Sequence, residues 1–584
     1  MNFLKNVLAT IVGLFLFFMI CFFALLFISA IAGSSDEVKV KENSVIELDL
    51  AKVQFDYAGK TNYKEFNYFA NPHNGLFDII KALKYAKTDN NVKGISILNN
   101  NTSLGIAQTK ALRNALEDFK KSGKFVYSYS NIYTQKSYYL NSVANKLYIN
   151  PVGQLDFKGF SAEYMFFKDF QEKTGLKMEV IRHGKYKSAV EPFLENKMSD
   201  ANKIQTSELL QAIWNAVVTD ISKSRKIPVE TLNDIANNLN GRTPQLALQN
   251  HLIDKIAYED VYHNDIKKLI KVAEDKDYET IKIEEYSKSV ATQNTDLSTK
   301  DKIAIVYAQG EIMGGEGDVN VIGEGAMHKA LKEAREDKNV KAVVLRVDSP
   351  GGSALTSELI WREIELTKKI KPVVVSMGNY AASGGYYISC NANTIFAEST
   401  TITGSIGVFG MLPNFSEATS RIGIHVDQVK THNNASSYSP FRPLDDNFKQ
   451  FTTEGIENVY QTFLTRVAAG RKMTVEQVDA IAQGRVWSGE EAIKIGLVDK
   501  IGGLQDALQE AAKLAKIKAY RTVDYPEYEK SFEDVLAAFG LAQSKENLIK
   551  QEIGEDNYFI LQKIKQLSMQ KGIQARMEYQ LIIN

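Results

Sequence analysis

The chain has 584 residues, enough for roughly four domains at about 150 residues each, or for fewer large ones. Its 70 Lys and Arg side chains equal its 70 Asp and Glu side chains in number, which excludes the basic footprint of a dedicated nucleic-acid-binding protein. Two cysteines and seven scattered histidines provide neither a disulfide framework nor a zinc site, so a metal hydrolase is not expected, although a site built from carboxylates alone stays open.

The first predicted element is an apolar run over residues 7–32, which contains 26 residues and no charge. This length exceeds the roughly 20 residues that a helix needs to cross a bilayer, so the run predicts one membrane anchor within residues 1–35. A cleaved secretory signal is the alternative, because Lys5 precedes the run and Ala30-Ile31-Ala32 resembles a cleavage site. Secretory apolar regions usually have only about 7 to 15 residues, which favours the uncleaved anchor.

The rest of the chain contains an internal repeat at an offset of 248 residues. Residues 124–145 align with residues 372–393 with seven identities in 22 positions, where composition alone gives about one or two. Further along, Pro192-Phe193 aligns with Pro440-Phe441 at the same offset. The chain therefore holds two diverged copies of one domain.

Composition sets the predicted boundaries of these copies. Residues around 290–300 are polar and turn-rich, which is typical of a linker. We predict a first half over residues 36–290, a linker over 291–302, a second half over 303–520, and a tail over 521–584 that we expect to be helical.

Strands and helices alternate in the second half. Residues 340–347 (VKAVVLRV) and 372–377 (PVVVSM) are apolar runs typical of buried strands, and residues 353–369 between them have helical character. This alternation predicts an α/β fold for the repeated domain.

A glycine-containing segment follows each of these two strands. Asp348-Ser349-Pro350-Gly351-Gly352-Ser353 precedes the helix, where backbone N–H groups can hold an oxyanion, although a tight turn also explains the pattern. Ser383 lies between small residues that let a substrate approach its hydroxyl, and Gly384 can donate its N–H to the same oxyanion. Taken alone, this second pattern is more often a helix N-cap than a nucleophile.

The repeat changes the weight of these alternatives. Ser383 aligns with Gln135 of the first copy, whereas Lys187 of the first copy aligns with Ala435 of the second. Each copy retains one half of a candidate site, which packing does not readily explain. A serine nucleophile needs a base, and a lysine with an ordinary pKa of about 10.4 must lose about three pKa units in an apolar site to serve as one.

Five motifs occur in order along the chain: Tyr186-Lys187-Ser188-Ala189 with Pro192-Phe193, Ser349-Pro350-Gly351-Gly352, Tyr380-Ala381-Ala382-Ser383-Gly384-Gly385-Tyr386-Tyr387, Ile402-Thr403-Gly404-Ser405-Ile406-Gly407, and Gly484-Arg485-Val486-Trp487-Ser488-Gly489. Together they resemble the signal peptide peptidase A family (S49), membrane-anchored serine peptidases with a Ser-Lys dyad, in its long, duplicated form. The resemblance extends from the anchor to about residue 520.

The resemblance implies tandem α/β halves of the Clp-protease/crotonase-like fold, with Ser383 as nucleophile and Lys187 as general base. It also implies an oxyanion hole at Gly352 and Gly384 and a lysine-orienting hydroxyl at Ser405. The substrates it implies are cleaved signal peptides and other unfolded peptides, and it implies no cofactor.

The resemblance further implies where the chain acts. It is expected in the bacterial inner membrane, with residues 7–32 as a single-pass anchor and the catalytic halves on the periplasmic or extracytoplasmic side. The expected assembly is a homotetramer.

Two other functions fit parts of the sequence. A crotonase-type acyl-CoA enzyme also uses a backbone oxyanion hole, but it has no use for a Lys187 and Ser383 pair. A non-catalytic membrane-anchored scaffold is the other alternative, because each copy has already lost part of the site. The split serine and lysine favour the endopeptidase.

Overall fold

The structure is a computed structural model, and it describes residues 5–7, 10–20, 39–51, 53, 55–63, 68–70, 73–99, 102–293, 299–435, 438–530, 549, 552, 554 and 573–577. Among those residues, no helix combines the length and the apolar character needed to cross a membrane. Residues 10–20 of the predicted anchor are helical, while residues 8–9 and 21–32 lie outside the described residues. The anchor therefore stays a prediction.

The strands are numbered in chain order. Those up to residue 290 are β1 (Ser44–Glu47), β2 (Lys60–Tyr63), β3 (Tyr68–Ala70), β4 (Val92–Leu98), β5 (Phe125–Tyr133), β6 (Lys146–Leu155), β7 (Lys177–His183), β8 (Lys255–Ile256) and β9 (Thr280–Lys282). The later strands are β10 (Lys302–Gln309), β11 (Glu311–Met313), β12 (Val321–Gly323), β13 (Val340–Ser349), β14 (Gly351–Ser353), β15 (Val373–Ala382), β16 (Thr394–Ala397), β17 (Ile402–Gly404), β18 (Val408–Asn414), β19 (Val486–Ser488), β20 (Lys500–Ile501), β21 (Arg521–Tyr525), β22 (Glu527–Lys530) and β23 (Gln574–Arg576).

Helices connect most of these strands. In the first half they are Leu76–Ala86, Ile106–Lys120, Gln135–Asn141, Lys168–Thr174, Glu191–Leu194, Asp200–Arg225, Val229–Asn237, Pro244–Gln249, Glu259–Ile270 and Ile283–Gln293. In the second half they are Glu324–Glu336, Ala354–Lys368, Gly384–Tyr387, Ser416–Arg421, Asp446–Arg471, Val475–Ile481, Gly489–Lys494 and Leu504–Leu514.

Each half is built on its own sheet. The first sheet has the order β8-β6-β5-β4-β1-β9, and its neighbouring strands are all parallel. The second has the order β19-β17-β15-β13-β10-β21, with β16 beside β15 and β20 beside β16. Apolar clusters cover both faces of each sheet, which is why β10 and β13 are apolar at nearly every position. The predicted α/β class is confirmed.

The two halves repeat individual contacts as well as strand order. The shared contacts are a buried tyrosine hydroxyl that donates to a backbone carbonyl, an Arg–Asp ion pair, and a phenylalanine N–H that donates to a proline carbonyl. In the first half, these contacts are Tyr138 to Leu252 (2.9 Å), Arg225 with Asp254, and Phe167 to Pro192 (2.6 Å). In the second half, they are Tyr386 to Leu497 (2.9 Å), Arg471 with Asp499, and Phe415 to Pro440 (2.6 Å). The predicted duplication is confirmed.

Two predicted segments differ from the structure. The helix Ile283–Gln293 runs into the predicted linker, because Ser287 and Ser289 are buried despite their polar character. In the described part of the tail, residues 521–530 form strands where helices were expected: β21 pairs with β10 at the sheet edge, and β22 pairs with β2. Residues 574–576 form β23, residues 549 and 552 are helical, and most of the rest of the tail lies outside the described residues. Arg521–Tyr525 (RTVDY) carries β-branched and aromatic residues, which suit an open sheet edge better than a helix.

One strand of the first half joins the second half. In a third sheet, of order β12-β11-β14-β23-β18-β7, β7 pairs antiparallel with β18 from Lys177–Asn414 to His183–Val408. Lys187 follows β7 by four residues, so this pairing carries the lysine out of its own half and toward the second.

Removing the hydroxyl of Tyr386 should destabilise the protein. Tyr386 is fully buried and its hydroxyl donates to the Leu497 carbonyl, so Tyr386→Phe leaves that carbonyl without this donor. We expect the free energy of unfolding, measured by urea denaturation, to fall by about 1–2 kcal/mol. Tyr258→Phe is the control, because Tyr258 is 61% exposed and its change should stay within about 0.5 kcal/mol. Equal losses in the two variants would contradict the prediction.

Candidate active site

Ser383 lies at the turn between β15 and the short helix Gly384–Tyr387. Its backbone has φ 54° and ψ −114°, a conformation that residues with a Cβ rarely adopt. Ser383 N donates to the Gly404 carbonyl and Tyr387 N donates to the Ser383 carbonyl, both at 2.8 Å. Strain of this kind costs about 1–3 kcal/mol and persists only where the surrounding structure imposes it. The two hydrogen bonds supply that constraint.

Lys187 meets Ser383 from the other half. Its Nζ lies 3.0 Å from Ser383 Oγ, 3.0 Å from Ser405 Oγ and 3.2 Å from the Ser405 carbonyl oxygen. Lys187 and Ser383 are 0% exposed, and Ser405 is also buried. A neutral amine has two N–H groups and one lone pair, so it can donate twice to Ser405 and accept the hydroxyl proton of Ser383. The structure thus brings together three of the five residues that the sequence singled out.

The stem of Lys187 is enclosed by small and aromatic residues. Its Nζ lies 5.9 Å from the centroid of the Phe409 ring. A Cβ built on Gly407 would lie 3.3 Å from Lys187 Cδ, and one built on Gly484 would lie 2.7 Å from Lys187 Cβ. Gly484 opens the last of the five motifs, so its lack of a side chain makes room for the lysine.

The residue after Gly484 ties the lysine segment to the second half. Arg485 forms an ion pair with Glu208 of the first half, and its guanidinium lies 5.2 Å from the centroid of the Tyr186 ring. The side chain of Gln205 also donates to the Tyr186 carbonyl at 3.2 Å. Because Tyr186 immediately precedes Lys187, these contacts restrict where the lysine can lie.

The two glycines expected in the oxyanion hole lie in adjacent segments. A Cβ on Gly352 would lie 2.0 Å from the Ile312 carbonyl oxygen, and one on Gly384 would lie 2.6 Å from Ser357 Oγ. Neither position therefore accepts a side chain without displacement. A Cβ on Gly351 would lie 2.7 Å from Gly384 N, which places β14 directly against the residue that follows Ser383.

The positions equivalent to Ser383 and Lys187 in the opposite copies have other surroundings. The side chain of buried Gln135 accepts from Lys158 N at 2.8 Å and Gly159 N at 2.9 Å, and donates to the Gly159 carbonyl at 3.0 Å. These bonds make Gln135 part of the scaffold of the first half. Ala435, the counterpart of Lys187, is exposed.

A buried polar cluster at the junction of the halves was not found from the sequence. Asp56 forms an ion pair with Arg346 at 2.7 Å, and both side chains are about 95% buried. The side chain of Gln108 donates to Asp56 and to Asp348, each at 3.2 Å. Burial, and next the negative charge of Asp56, raise the pKa of Asp348 to about 7. The cluster borders a cavity of about 270 Å³ that reaches Tyr380.

Comparison with known proteins places both halves in one family of enzymes. The sequence profile of Peptidase family S49 matches residues 118–273 and 365–518. "Protease 4" of Salmonella typhi is 38% identical over 473 residues, covering 79% of this chain and 75% of that protein. "Serine protease SPPA, chloroplastic" of Arabidopsis thaliana is 32% identical over 504 residues, covering 84% and 72%. A solved point mutant of ClpP1 from Listeria monocytogenes is 18% identical and covers 37% of this chain and 99% of its own, but the TM-score of 0.25 is too low to define the fold.

The raised pKa of Asp348 predicts a pH-dependent stability. Between about pH 4 and 7 the folded chain keeps a proton on Asp348 that the unfolded chain has lost, so the free energy of unfolding falls as pH rises through this window. Asp348→Asn removes this titration. The free energy of unfolding of the variant minus that of wild type, measured by urea denaturation, should therefore increase by about 1 kcal/mol or more between pH 5 and pH 7.5. Exposed Asp427→Asn is the control, and parallel pH profiles for all three proteins would contradict the prediction.

Proposed function

The chain belongs to peptidase family S49 and is a serine peptidase of the long, duplicated signal peptide peptidase A form; we propose that Ser383 is its nucleophile and Lys187 its general base. The observation that carries this proposal is the 3.0 Å hydrogen bond between Lys187 Nζ and Ser383 Oγ, which joins residues 196 positions apart in the sequence. The two side chains belong to different copies of the repeat, and neither copy contains both.

The proposed reaction proceeds through an acyl-enzyme. Ser383 Oγ attacks the carbonyl carbon of the peptide bond while Lys187 Nζ accepts the hydroxyl proton. The backbone N–H groups of Gly352 and Gly384 donate to the oxyanion that forms. Lys187 then returns the proton to the leaving amine, and water hydrolyses the ester on Ser383. Hydrolysis regenerates the serine and releases the second product.

Lys187 has to be neutral to take part in this reaction. Its enclosure by Phe409, Gly407 and Gly484 supports that requirement, because burial disfavours the charged form of an amine. The two contacts with Ser405 use the N–H groups of the amine and leave its lone pair for Ser383. We therefore assign Ser405 a positioning role.

Unfolded peptides, including cleaved signal peptides, are the proposed substrates. Ser383 and Lys187 have no exposed surface, which supports this proposal because a peptide bond held inside a folded protein cannot reach them. Each half is proposed to have the Clp-protease/crotonase-like fold, supported by the parallel strands and by the glycines that follow β13 and β15. Cleavage of a folded protein as fast as that of its denatured form would contradict the substrate proposal. A crystal structure whose halves do not superpose on the Clp-protease/crotonase-like fold would contradict the fold proposal.

The chain is also proposed to act as a homotetramer anchored in the bacterial inner membrane by residues 7–32, with both halves on the extracytoplasmic side. The uncharged apolar run supports the anchor. Val429, Phe451 and Ile422 are each more than 70% exposed, and large exposed apolar side chains are typical of interaction surfaces. Extraction of the protein from membranes by alkaline carbonate would contradict the anchor. A monomer in light scattering would contradict the homotetramer.

Replacing either proposed catalytic residue should abolish peptide hydrolysis. Ser383→Ala removes the nucleophile, and Lys187→Met removes the base while it keeps most of the buried stem. We expect kcat/KM for an unstructured fluorogenic peptide to fall at least about 10³-fold in each variant. Circular dichroism and the urea midpoint should show that both variants fold.

The matched controls are Lys185→Ala and Ser420→Ala, which remove an exposed lysine and an exposed serine and should retain full activity. As a positioning residue, Ser405 should affect kcat and not KM, with a fall of about tenfold in Ser405→Ala. Activity that survives in Ser383→Ala or Lys187→Met rules out the proposed dyad.

A further inference from the structure

The cavity at the junction of the halves lies where the first half has its counterpart of the proposed oxyanion hole. The helices Ile106–Lys120 and Ala354–Lys368 begin at equivalent positions of the repeat, and Lys136 is the counterpart of Gly384. Ile106 and Lys136 both line the cavity of about 270 Å³. The first half has therefore kept a pocket at this place, but it carries a lysine where the second half has a glycine.

Two features of this cavity favour a negatively charged ligand. Lys136 is partly buried, and no carboxylate of the described residues forms an ion pair with it. Burial lowers the pKa of Lys136, and a bound anion would stabilise its charged form. Ile106 and Ala107 begin a helix of 15 residues, so their N–H groups have no partner within that helix, and both residues line the cavity.

A buried hydroxyl in the cavity wall also lacks a partner. Thr400 is 2% exposed and lines the cavity, and its Oγ1 forms no hydrogen bond with any residue that the structure describes. The neighbouring Asn379, by contrast, accepts from Gln108 N at 3.1 Å and donates to Asp348 at 3.0 Å. Because a buried polar group without a partner is costly, the hydroxyl of Thr400 points to a ligand that supplies an acceptor.

The rest of the wall limits the charge and the shape of that ligand. Asp348 borders the cavity, and its carboxylate accepts from Asn379 Nδ2 at 3.0 Å and from Tyr380 N at 2.9 Å. A doubly charged anion such as phosphate would be repelled by this carboxylate, whereas a single carboxylate matches the one charge of Lys136. Much of the remaining wall is apolar and is formed by Phe55, Ile106, Ile213, Pro350 and Ile402.

The cavity also lies beside the candidate active site. Pro350 belongs to the segment that carries Gly352, and Tyr380 precedes Ser383 by three residues on β15. Three residues of extended strand span about 10 Å. A peptide held in the cavity would therefore lie within a few residues' length of the serine.

We propose that this cavity binds the terminal carboxylate of a peptide whose last side chain is apolar. The chain is a serine peptidase, so its substrates and products are peptides, and these end in a carboxylate. Lys136 and the N–H groups of Ile106 and Ala107 bind the carboxylate, Thr400 donates to it, and the apolar wall receives the last side chain. Ligand pockets usually begin at about 300 Å³, so this cavity suits the end of a peptide and not a folded partner.

Calorimetric titration of the full-length Ser383→Ala chain with acetyl-alanyl-leucine tests this proposal. We expect the same compound with a carboxyl-terminal amide to bind at least about tenfold more weakly, because it has no charge to pair with Lys136. Equal dissociation constants for the acid and the amide would overturn the proposal. Chromatography of the ligand after titration keeps the two proposals apart, since hydrolysis by Ser383→Ala contradicts the dyad and not the carboxylate site.

Variants of Lys136 in the same background separate binding from folding. Lys136→Met keeps the stem and removes the charge, so the dissociation constant of the acid should rise at least about tenfold while that of the amide stays unchanged. Lys136→Arg keeps the charge and should bind the acid within about threefold of the parent chain. Exposed Lys185→Met is the matched control and should change neither constant. Undiminished binding of the acid in Lys136→Met, or an equal loss for acid and amide, would overturn the proposal.

Thr400→Val tests the hydroxyl. It should weaken binding of the acid several-fold and leave the urea midpoint unchanged or higher, because no described residue loses a hydrogen bond. An unchanged dissociation constant would overturn the role of Thr400.

Competition tests the class of anion. Acetate should displace acetyl-alanyl-leucine at lower concentrations than inorganic phosphate does. Stronger displacement by phosphate would assign the cavity to free phosphate and overturn the peptide carboxylate.

Discussion

The antiparallel pairing of β7 with β18 is the contact on which the candidate active site depends. Each central sheet is complete within its own half, and only this exchanged strand leads directly to Lys187. Seven residue pairs fix its register, and the contacts of Arg485 with Glu208 and Tyr186 hold the segment that follows. Because Lys187 and Ser383 meet within hydrogen-bond distance, a slip of one residue in that strand would remove the lysine from the site.

The same pairing explains how the two copies could diverge so differently. Under the proposed mechanism the first half supplies the base and the second half supplies the hydroxyl, so the equivalent positions Gln135 and Ala435 have no chemical task. Gln135 has become a structural residue that binds the backbone at Lys158 and Gly159. Ala435 lies exposed at the surface, where a lysine would be hydrated and charged and could not serve as a base.

The pairing of Ser383 with Lys187 could be predicted because the internal repeat lets two copies of one site be compared within one chain. The glycines after β13 could be predicted because a turn between a strand and a helix leaves a local pattern. The cluster of Asp56, Arg346 and Asp348 could not, since contacts between segments about 290 residues apart leave no periodicity to recognise. The strands β21 and β23 in the tail could not be predicted either, because they are too short for their alternation to stand out and they take their form from sheet edges elsewhere.

Because the site is divided between two halves, its residues are also synthesised at different times. During synthesis Lys187 emerges long before Ser383, and β18, which positions the lysine, is made later still. Under the proposed mechanism a nascent or truncated chain that contains only the first half cannot hydrolyse a peptide bond. Under that mechanism the ribosome completes most of the protein before any proteolytic activity exists, so an incomplete chain needs no separate inhibitor.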